Sequence, residues 1–229
     1  MSGTAPTREI IAAIRYAVGW RIAITDDAFD RLYPESVRAM SAVHWTPVKV
    51  ALRAASWLAP EPGMRVLDVG SGAGKLCCIG ALATSSRWVG VERDPALVDA
   101  AAALATRLEL AERARFTCGD MAVVQWKDFD SLYFYNPFEM VLYGASPPEL
   151  PHRWTLFGNE LDRVTTALAE LPSGTRVVTY HGFGGDMPTG YVLVEAERAG
   201  AGQLALWVKQ SPGRARYRMT RVPPREGSP

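Results

Sequence analysis

The chain is predicted to adopt an α/β fold: a three-layer sandwich around a seven-stranded, mostly parallel sheet with its last strand antiparallel, plus an N-terminal helical extension. Three observations predict it. From residue 64 onward short apolar runs alternate with stretches of helical periodicity, the pattern of a parallel sheet with helices on both faces. The last two apolar runs, Tyr191 to Ala196 and Leu204 to Lys209, are joined by Glu197-Arg-Ala-Gly-Ala-Gly202, which is too short to hold a helix and so implies an antiparallel pair. Before residue 63 only helical spacing is found.

In chain order, Ile10, Ile11, Ile14, Ala17 and Val18 recur at helical spacing and predict an amphipathic helix over 7–18. A second helical stretch runs from Asp26 to Tyr33, where Pro34 stops it. Thr46 and Pro47 read as N-cap and first residue of a helix over Val48 to Leu58, which Pro60 and Pro62-Gly63 end. Strands follow over Met64 to Val69, Trp88 to Glu92, Arg115 to Cys118, Asp130 to Tyr135 and Thr175 to Tyr180. Helices are expected over Lys75 to Thr84, Pro95 to Leu110 and Glu160 to Leu171. The chain thus divides into a helical extension or lid over 1–62, the α/β domain over 63–210, and a basic tail over 211–229 that carries Arg214, Arg216, Arg218, Arg221 and Arg225 against Glu226. Such a tail reads either as a solvated end or as a contact for an acidic partner.

The composition sets the class. With 48% apolar and 21% charged residues in 229, one large core can form, and disordered and fibrous classes are excluded. The 25 basic and 24 acidic residues leave a net charge of +1, so no global field favours a polyanion, and a dedicated nucleic-acid binder is disfavoured. Only Lys49, Lys75, Lys127 and Lys209 among the basic residues are lysines. Genomic codon bias explains that imbalance, as does a need for arginine to recognise carboxylates or phosphates. Three cysteines build no disulfide framework, and Cys77 and Cys78 read as small core residues. No Cys and His spacing matches a metal site, so no metal is expected. Met1 to Glu9 lacks an apolar signal core and no run approaches the roughly 18 apolar residues of a membrane span, so the expected setting is the cytoplasm, away from membranes.

The chemistry-bearing motif is Val66-Leu67-Asp68-Val69-Gly70-Ser71-Gly72-Ala73-Gly74, between a predicted strand and a predicted helix. Alternate glycines let the backbone turn sharply and approach a ligand without side-chain interference. Glu92, 20 residues beyond Gly72 at the end of the next strand, is placed to accept hydrogen bonds from both hydroxyls of a ribose. A dinucleotide fingerprint would have a third glycine where this chain has Lys75. Asp68 has no task beside a pyrophosphate but suits a ligand ammonium.

On these residues, together with Cys118-Gly119-Asp120-Met121 and Tyr135-Asn136-Pro137-Phe138, the stretch from Met64 to Lys209 resembles the class I S-adenosylmethionine-dependent methyltransferases. The resemblance implies a Rossmann-like domain, S-adenosylmethionine as donor and S-adenosylhomocysteine as product. It further implies cofactor contacts from Asp68, Gly70, Ser71, Gly72, Gly74, Glu92, Asp120, Met121, Asn136 and Thr46, with Asp120 and Met121 beside the adenine. Gly70-Ser-Gly-Ala-Gly-Lys75 with Val89-Gly-Val-Glu92 is also similar to the non-SET protein lysine methyltransferases, and Asn136-Pro137-Phe138 to the Asn-Pro-Pro-aromatic motif of amino-group methyltransferases. The chain departs from that motif by one proline, an aromatic one residue early, and a following Glu139.

The acceptor is therefore expected to be a nitrogen, with a protein lysine as the leading case, oriented by Asn136 and walled by Tyr133, Tyr135 and Phe138. The alternatives are a small-molecule O- or N-methyltransferase and a non-catalytic cofactor-binding protein. A nicotinamide-dependent reductase is the most distant rival. His181, in the glycine-rich Tyr180-His181-Gly182-Phe183-Gly184-Gly185 after the fifth strand, is a candidate general base for a hydroxyl acceptor. His44-Trp45-Thr46-Pro47 is a candidate lid over the cofactor. The partner is an acceptor protein or small molecule; the oligomeric state is left open.

Overall fold

A computed structural model describes residues 7–39, 45–137, 150–200 and 202–211. Phe138, His44 and the arginine-rich segment from residue 212 lie outside them. Among the described residues seven strands form one sheet in the order β3-β2-β1-β4-β5-β7-β6: β1 (Arg65–Val69), β2 (Arg87–Glu92), β3 (Ala114–Cys118), β4 (Ser131–Tyr135), β5 (Arg176–Tyr180), β6 (Tyr191–Ala199) and β7 (Gly202–Lys209). Strands β1 to β5 pair in parallel, and β7 inserts antiparallel between β5 and β6. The order reverses at β1, which lies between β2 and β4, and open sheets bind ligands beyond the strand ends at such a reversal.

Alternation along the strands separates two cores. Val66, Trp88, Ala114, Tyr133 and Val178 face one side with most of the helices, whereas Leu67, Val91, Leu132, Phe134 and Val177 face the other. The first side is covered by α1 (Arg8–Gly19), α2 (Asp26–Asp30), α4 (Val48–Leu58), α5 (Lys75–Ala83) and α6 (Pro95–Arg107), and the short α3 (Glu35–Arg38) links α2 to the segment before α4. The second side is covered by α7 (Leu150–Glu170) and by two short 3-10 turns at Met121–Val123 and Trp126–Asp128.

Local chemistry accounts for the boundaries. The Thr7 hydroxyl accepts from the Ile10 N–H at the start of α1, and α6 opens with Asp94 accepting from Ala96 N–H (2.8 Å) ahead of Pro95. At the start of α5 Gly74 has φ +76°, and a Cβ there would overlap Phe116 and Ala101.

The structure corrects several expectations. The stretch from Asp26 is helical only to Asp30, with turns at Arg31 and Leu32 before Pro34. Thr46 does not cap α4: Pro47 holds the cap position without a side-chain bond, and Asp26 reaches across from α2 to take the Val48 N–H (2.8 Å). Thr46 is thereby free to share a hydrogen bond with the Tyr133 hydroxyl (3.0 Å). Helix α7 begins about ten residues earlier than the apolar periodicity suggests, with Pro151 in the first turn, where a missing N–H is tolerated. No α-helix lies between β3 and β4 or between β5 and β6 among the described residues.

Candidate active site

The carboxyl ends of β1, β2, β4 and β5 carry the predicted site residues to one edge. β1 runs into the glycine loop, where Gly70, Gly72 and Gly74 all have positive φ. β2 ends in Glu92, whose Oε2 accepts from Gly72 N–H (2.9 Å) and whose Oε1 accepts from the Arg93 (2.7 Å) and Asp94 (2.9 Å) N–H groups. Three backbone donors fix this carboxylate beside the loop, and of its roughly four lone pairs one, on Oε2, remains for a ribose hydroxyl.

A cleft opens between the loop and the N-terminal extension, lined by Trp45, Thr46, Asp68, Gly70, Ser71, Gly72, Lys75 and the rings of Tyr133 and Tyr135. Asp68 lies there buried. Burial pushes its carboxyl up to about 7; a Cys77 Sγ–H contact (3.6 Å) opposes this, and the nearby Glu92 carboxylate adds to it. The Ser71 hydroxyl is buried without a hydrogen-bond partner, and nothing lies within 4 Å of where a Gly72 side chain would start. A buried carboxyl, an orphaned hydroxyl, an open glycine and aromatic walls fit a cationic cofactor with an adenosine moiety.

β4 and β5 supply the second half of the edge. Asn136 has φ +38° and donates its N–H to the Gly182 carbonyl (3.1 Å), which ties the loop after β4 to the loop after β5. A Cβ on Gly70 would come within 3.0 Å of Pro137 Cβ, so the glycine loop and the Asn136-Pro137 segment are in contact distance of each other. The His181 ring stacks on Tyr135 (centroids 5.6 Å apart) and lies over Gly202, where any side chain would overlap it. Asn136, Tyr135 and His181 are therefore brought together; Phe138 is outside the described residues. Tyr133 and Tyr135 share one face of β4, and Phe134 takes the other.

Asp120 follows β3 but is not free for an adenine amine. It pairs with Arg163 and Arg93, and both arginines also bind Glu160 (2.9 and 2.6 Å). Hydrogen bonding from Arg163, with smaller contributions from Ala122 N–H and Arg93, holds the Asp120 carboxyl well below the usual carboxylate range. Met121 is buried among the second core's side chains.

The residues that sequence reasoning missed are Asp26, Asp30, Tyr33 and Lys75. Lys75, 4% exposed, lies 2.6 Å from Asp26 Oδ1 and 2.7 Å from Asp30 Oδ1, with Phe29 and Trp45 rings within 5.8 Å. The Tyr33 hydroxyl donates to the Ala73 carbonyl of the glycine loop (3.0 Å), and its ring packs on Trp45 (4.4 Å). The signal was present: Lys75 is the one charge in the otherwise uncharged Lys75–Ala83 helix, and Asp26 and Asp30 sit four apart on one helix face. Among the described residues no cluster of His, Cys, Asp and Glu could hold a metal ion, and no helix is long and apolar enough to cross a membrane.

Comparison with known proteins adds a family. A family model described as protein-L-isoaspartate(D-aspartate) O-methyltransferase (PCMT) matches residues 28–161, more than half of the chain. Protein-L-isoaspartate O-methyltransferase 1 of Arabidopsis thaliana is 36% identical over 94 residues, a match that spans 40% of this chain and 40% of that protein. Among solved structures, an RNA methyltransferase from Salinibacter ruber in complex with S-adenosyl-L-homocysteine aligns at TM-score 0.50 and 21% identity, covering 71% of this chain and 90% of that one. TrmN from Thermus thermophilus aligns at TM-score 0.54 and 24% identity, covering 75% of this chain and 52% of that one. At these identities the two structures share the fold.

Proposed function

The chain belongs to the protein-L-isoaspartate(D-aspartate) O-methyltransferase family of S-adenosylmethionine-dependent methyltransferases, and we propose that it methylates a carboxylate of a protein or peptide acceptor. The observation that carries this reading is the family match, which runs from α2 through the glycine loop and Glu92 to the middle of α7. The cofactor, when bound, supplies an electrophilic methyl group on a sulfonium. Asp68 offers its buried carboxyl to the cofactor's ammonium, Glu92 accepts from a ribose hydroxyl through the lone pair its backbone donors leave, and the glycines let the loop backbone approach closely. Trp45 and Thr46, with the helices before them, close the cleft as a lid that excludes water.

Attack by a carboxylate oxygen needs little from the protein beyond alignment, because a carboxylate is already ionised at neutral pH and releases no proton. Asn136 and Pro137 form the rim against Gly70, and His181 with Tyr135 flanks it, so these residues hold the acceptor and carry no obligatory base. Asp120 supports the adenine end through the Arg93 and Arg163 pairs that fix the loop after β3.

A second reading, a nitrogen acceptor such as a protein lysine, is favoured by Asn136, whose left-handed backbone is tied to Gly182 as a fixed presenting loop. An amine acceptor must lose a proton, since its ordinary pKa is about 10.4. The two readings differ in the bond formed. Radiolabelled methyl groups transferred from S-adenosylmethionine into protein are expected to be released as volatile methanol by mild alkali, as esters are. Label that survives alkali would overturn the carboxylate reading in favour of nitrogen, and label confined to small molecules would overturn both.

A further inference from the structure

At the opposite end of the strands from the glycine loop, a cavity of about 370 Å³ is lined by Arg65, Arg87, Arg113, Arg115, Val89 and Glu112. The strand register explains why the cations converge. Arg65 of β1 is the direct partner of Arg87 of β2, and Val89 is the partner of Arg115 of β3. Since residues two apart point the same way, Arg65, Arg87 and Arg115 all lie on one face of three adjacent strands about 4.8 Å apart.

Like charges directly opposite one another across a sheet repel, so such a row is uphill unless something compensates it. The protein compensates only part of it. Arg115 pairs with Glu112 (2.9 Å). The Arg113 guanidinium donates to the Thr84 carbonyl (2.9 Å), which satisfies an N–H without neutralising the charge. Arg65 stacks over Phe129, and the nearby Asp130 carboxylate is engaged by the Arg65 backbone N–H (2.8 Å). Arg87 is exposed, and its guanidinium has no hydrogen bond or ion pair among the described residues, its backbone N–H alone donating, to the Met64 carbonyl (2.8 Å).

Four guanidinium groups against one carboxylate, around a concavity the size of small-molecule sites, match the chemistry of a tetrahedral dianion. We propose that this cavity binds a phosphate group, free or as the monoester of a small ligand, at a site separate from the methyl-transfer edge. The planar forks of Arg65 and Arg87 take the phosphate oxygens from two adjacent strands, and the bound dianion removes their mutual repulsion.

The test uses the full chain at fixed ionic strength, with sodium chloride as reference. Inorganic phosphate and glycerol 2-phosphate are expected to raise Tm above the chloride control and to give a titratable isotherm; tighter binding of the monoester would identify a small ligand as the source. Arg65→Gln and Arg87→Gln should each weaken phosphate at least tenfold without changing methyl transfer. In phosphate-free, low-salt buffer Arg87→Gln should raise Tm, because it relieves repulsion. Equal Tm shifts from phosphate and chloride, retained phosphate affinity in both variants, or a lower Tm of phosphate-free Arg87→Gln would each overturn the proposal. So would an affinity for RNA that grows with oligonucleotide length while both small phosphates leave the protein unaffected.

Discussion

Asp68 concentrates the energetic tension of the site in a single side chain. Its carboxyl is raised to about 7 in the folded chain, whereas in the unfolded chain it ionises near 4. Between those values the folded state keeps a proton that the unfolded state has released, so stability falls as pH rises from about 4 to about 7. Asp68→Asn should therefore raise Tm at pH 8 by several degrees and leave it nearly unchanged at pH 4, measured by thermal unfolding at both. Because an ammonium favours the ionised carboxylate, cofactor affinity of the unmodified protein should increase with pH through about 7, and the Asn variant should lose both that rise and at least tenfold in affinity. A pH-independent affinity would remove Asp68 from the ammonium site. Glu92→Ala is expected to weaken the cofactor further, by roughly 1.5 to 3 kcal/mol for each charge-assisted bond lost. It should also lower Tm, since the Gly72, Arg93 and Asp94 amides lose their acceptor. Calorimetry showing unchanged affinity would sink the ribose assignment.

Two contacts between elements decide how the site is held. Lys75 at the start of α5 joins α2 to the glycine loop through Asp26 and Asp30, and Asp26 also caps α4. Lys75→Met leaves a nearly buried Asp30 without its cation, a loss of about 3 kcal/mol that corresponds to a Tm drop of about 10 °C in a chain of this size. Asp30→Asn in the same background should recover part of that drop; a double variant no more stable than Lys75→Met would mean that the ion pair contributes little. The second contact is between the loop after β5 and the tip of the β6–β7 hairpin. Gly202→Ala places a methyl group where the His181 ring lies over that glycine. It is expected to lower kcat while sparing cofactor affinity, and an unaltered kcat would separate His181 from acceptor handling.

The N-terminal extension is part of the molecule's main core, with Ile14, Val18, Phe29, Leu32 and Tyr33 in one cluster with Val48, Leu58, Cys77, Trp88 and Tyr133. Its role as a lid is thus inseparable from its role in packing. Deleting residues 1–38 should lower Tm by more than 10 °C or abolish cooperative unfolding, read as coincident fluorescence and circular dichroism transitions, because several fully buried side chains worth about 1.5 to 3 kcal/mol each are removed. A truncated chain that unfolds cooperatively at the original Tm would make the extension a detachable lid. The same packing explains how a surface with near-zero net charge carries a cationic row on three strands: the sheet register, not the overall composition, gathers the arginines.

The alternation of apolar runs, the glycine-rich turn after β1, the acid ending β2 and the helix-free link before β7 were enough to determine the sheet, its final antiparallel strand and the ligand edge, because each depends on local backbone chemistry. The bounds of α4 at Val48 and Leu58 and the start of α6 at Pro95 followed from prolines and periodicity in the same way. What the sequence left undecided depends on partners distant in the chain. Thr46 reads as a helix cap until Tyr133, 87 residues on, claims its hydroxyl, and Asp120 reads as a free carboxylate until Arg163 arrives from α7. Lys75, Asp26 and Asp30 look like unrelated surface charges until α2 folds onto α5, pairs both carboxylates with the lysine and buries Lys75 and Asp30. Periodicity and capping act over a few residues and are written in the sequence, whereas ion pairs across elements and the pKa of Asp68 come from burial, which exists only once the tertiary fold has removed water.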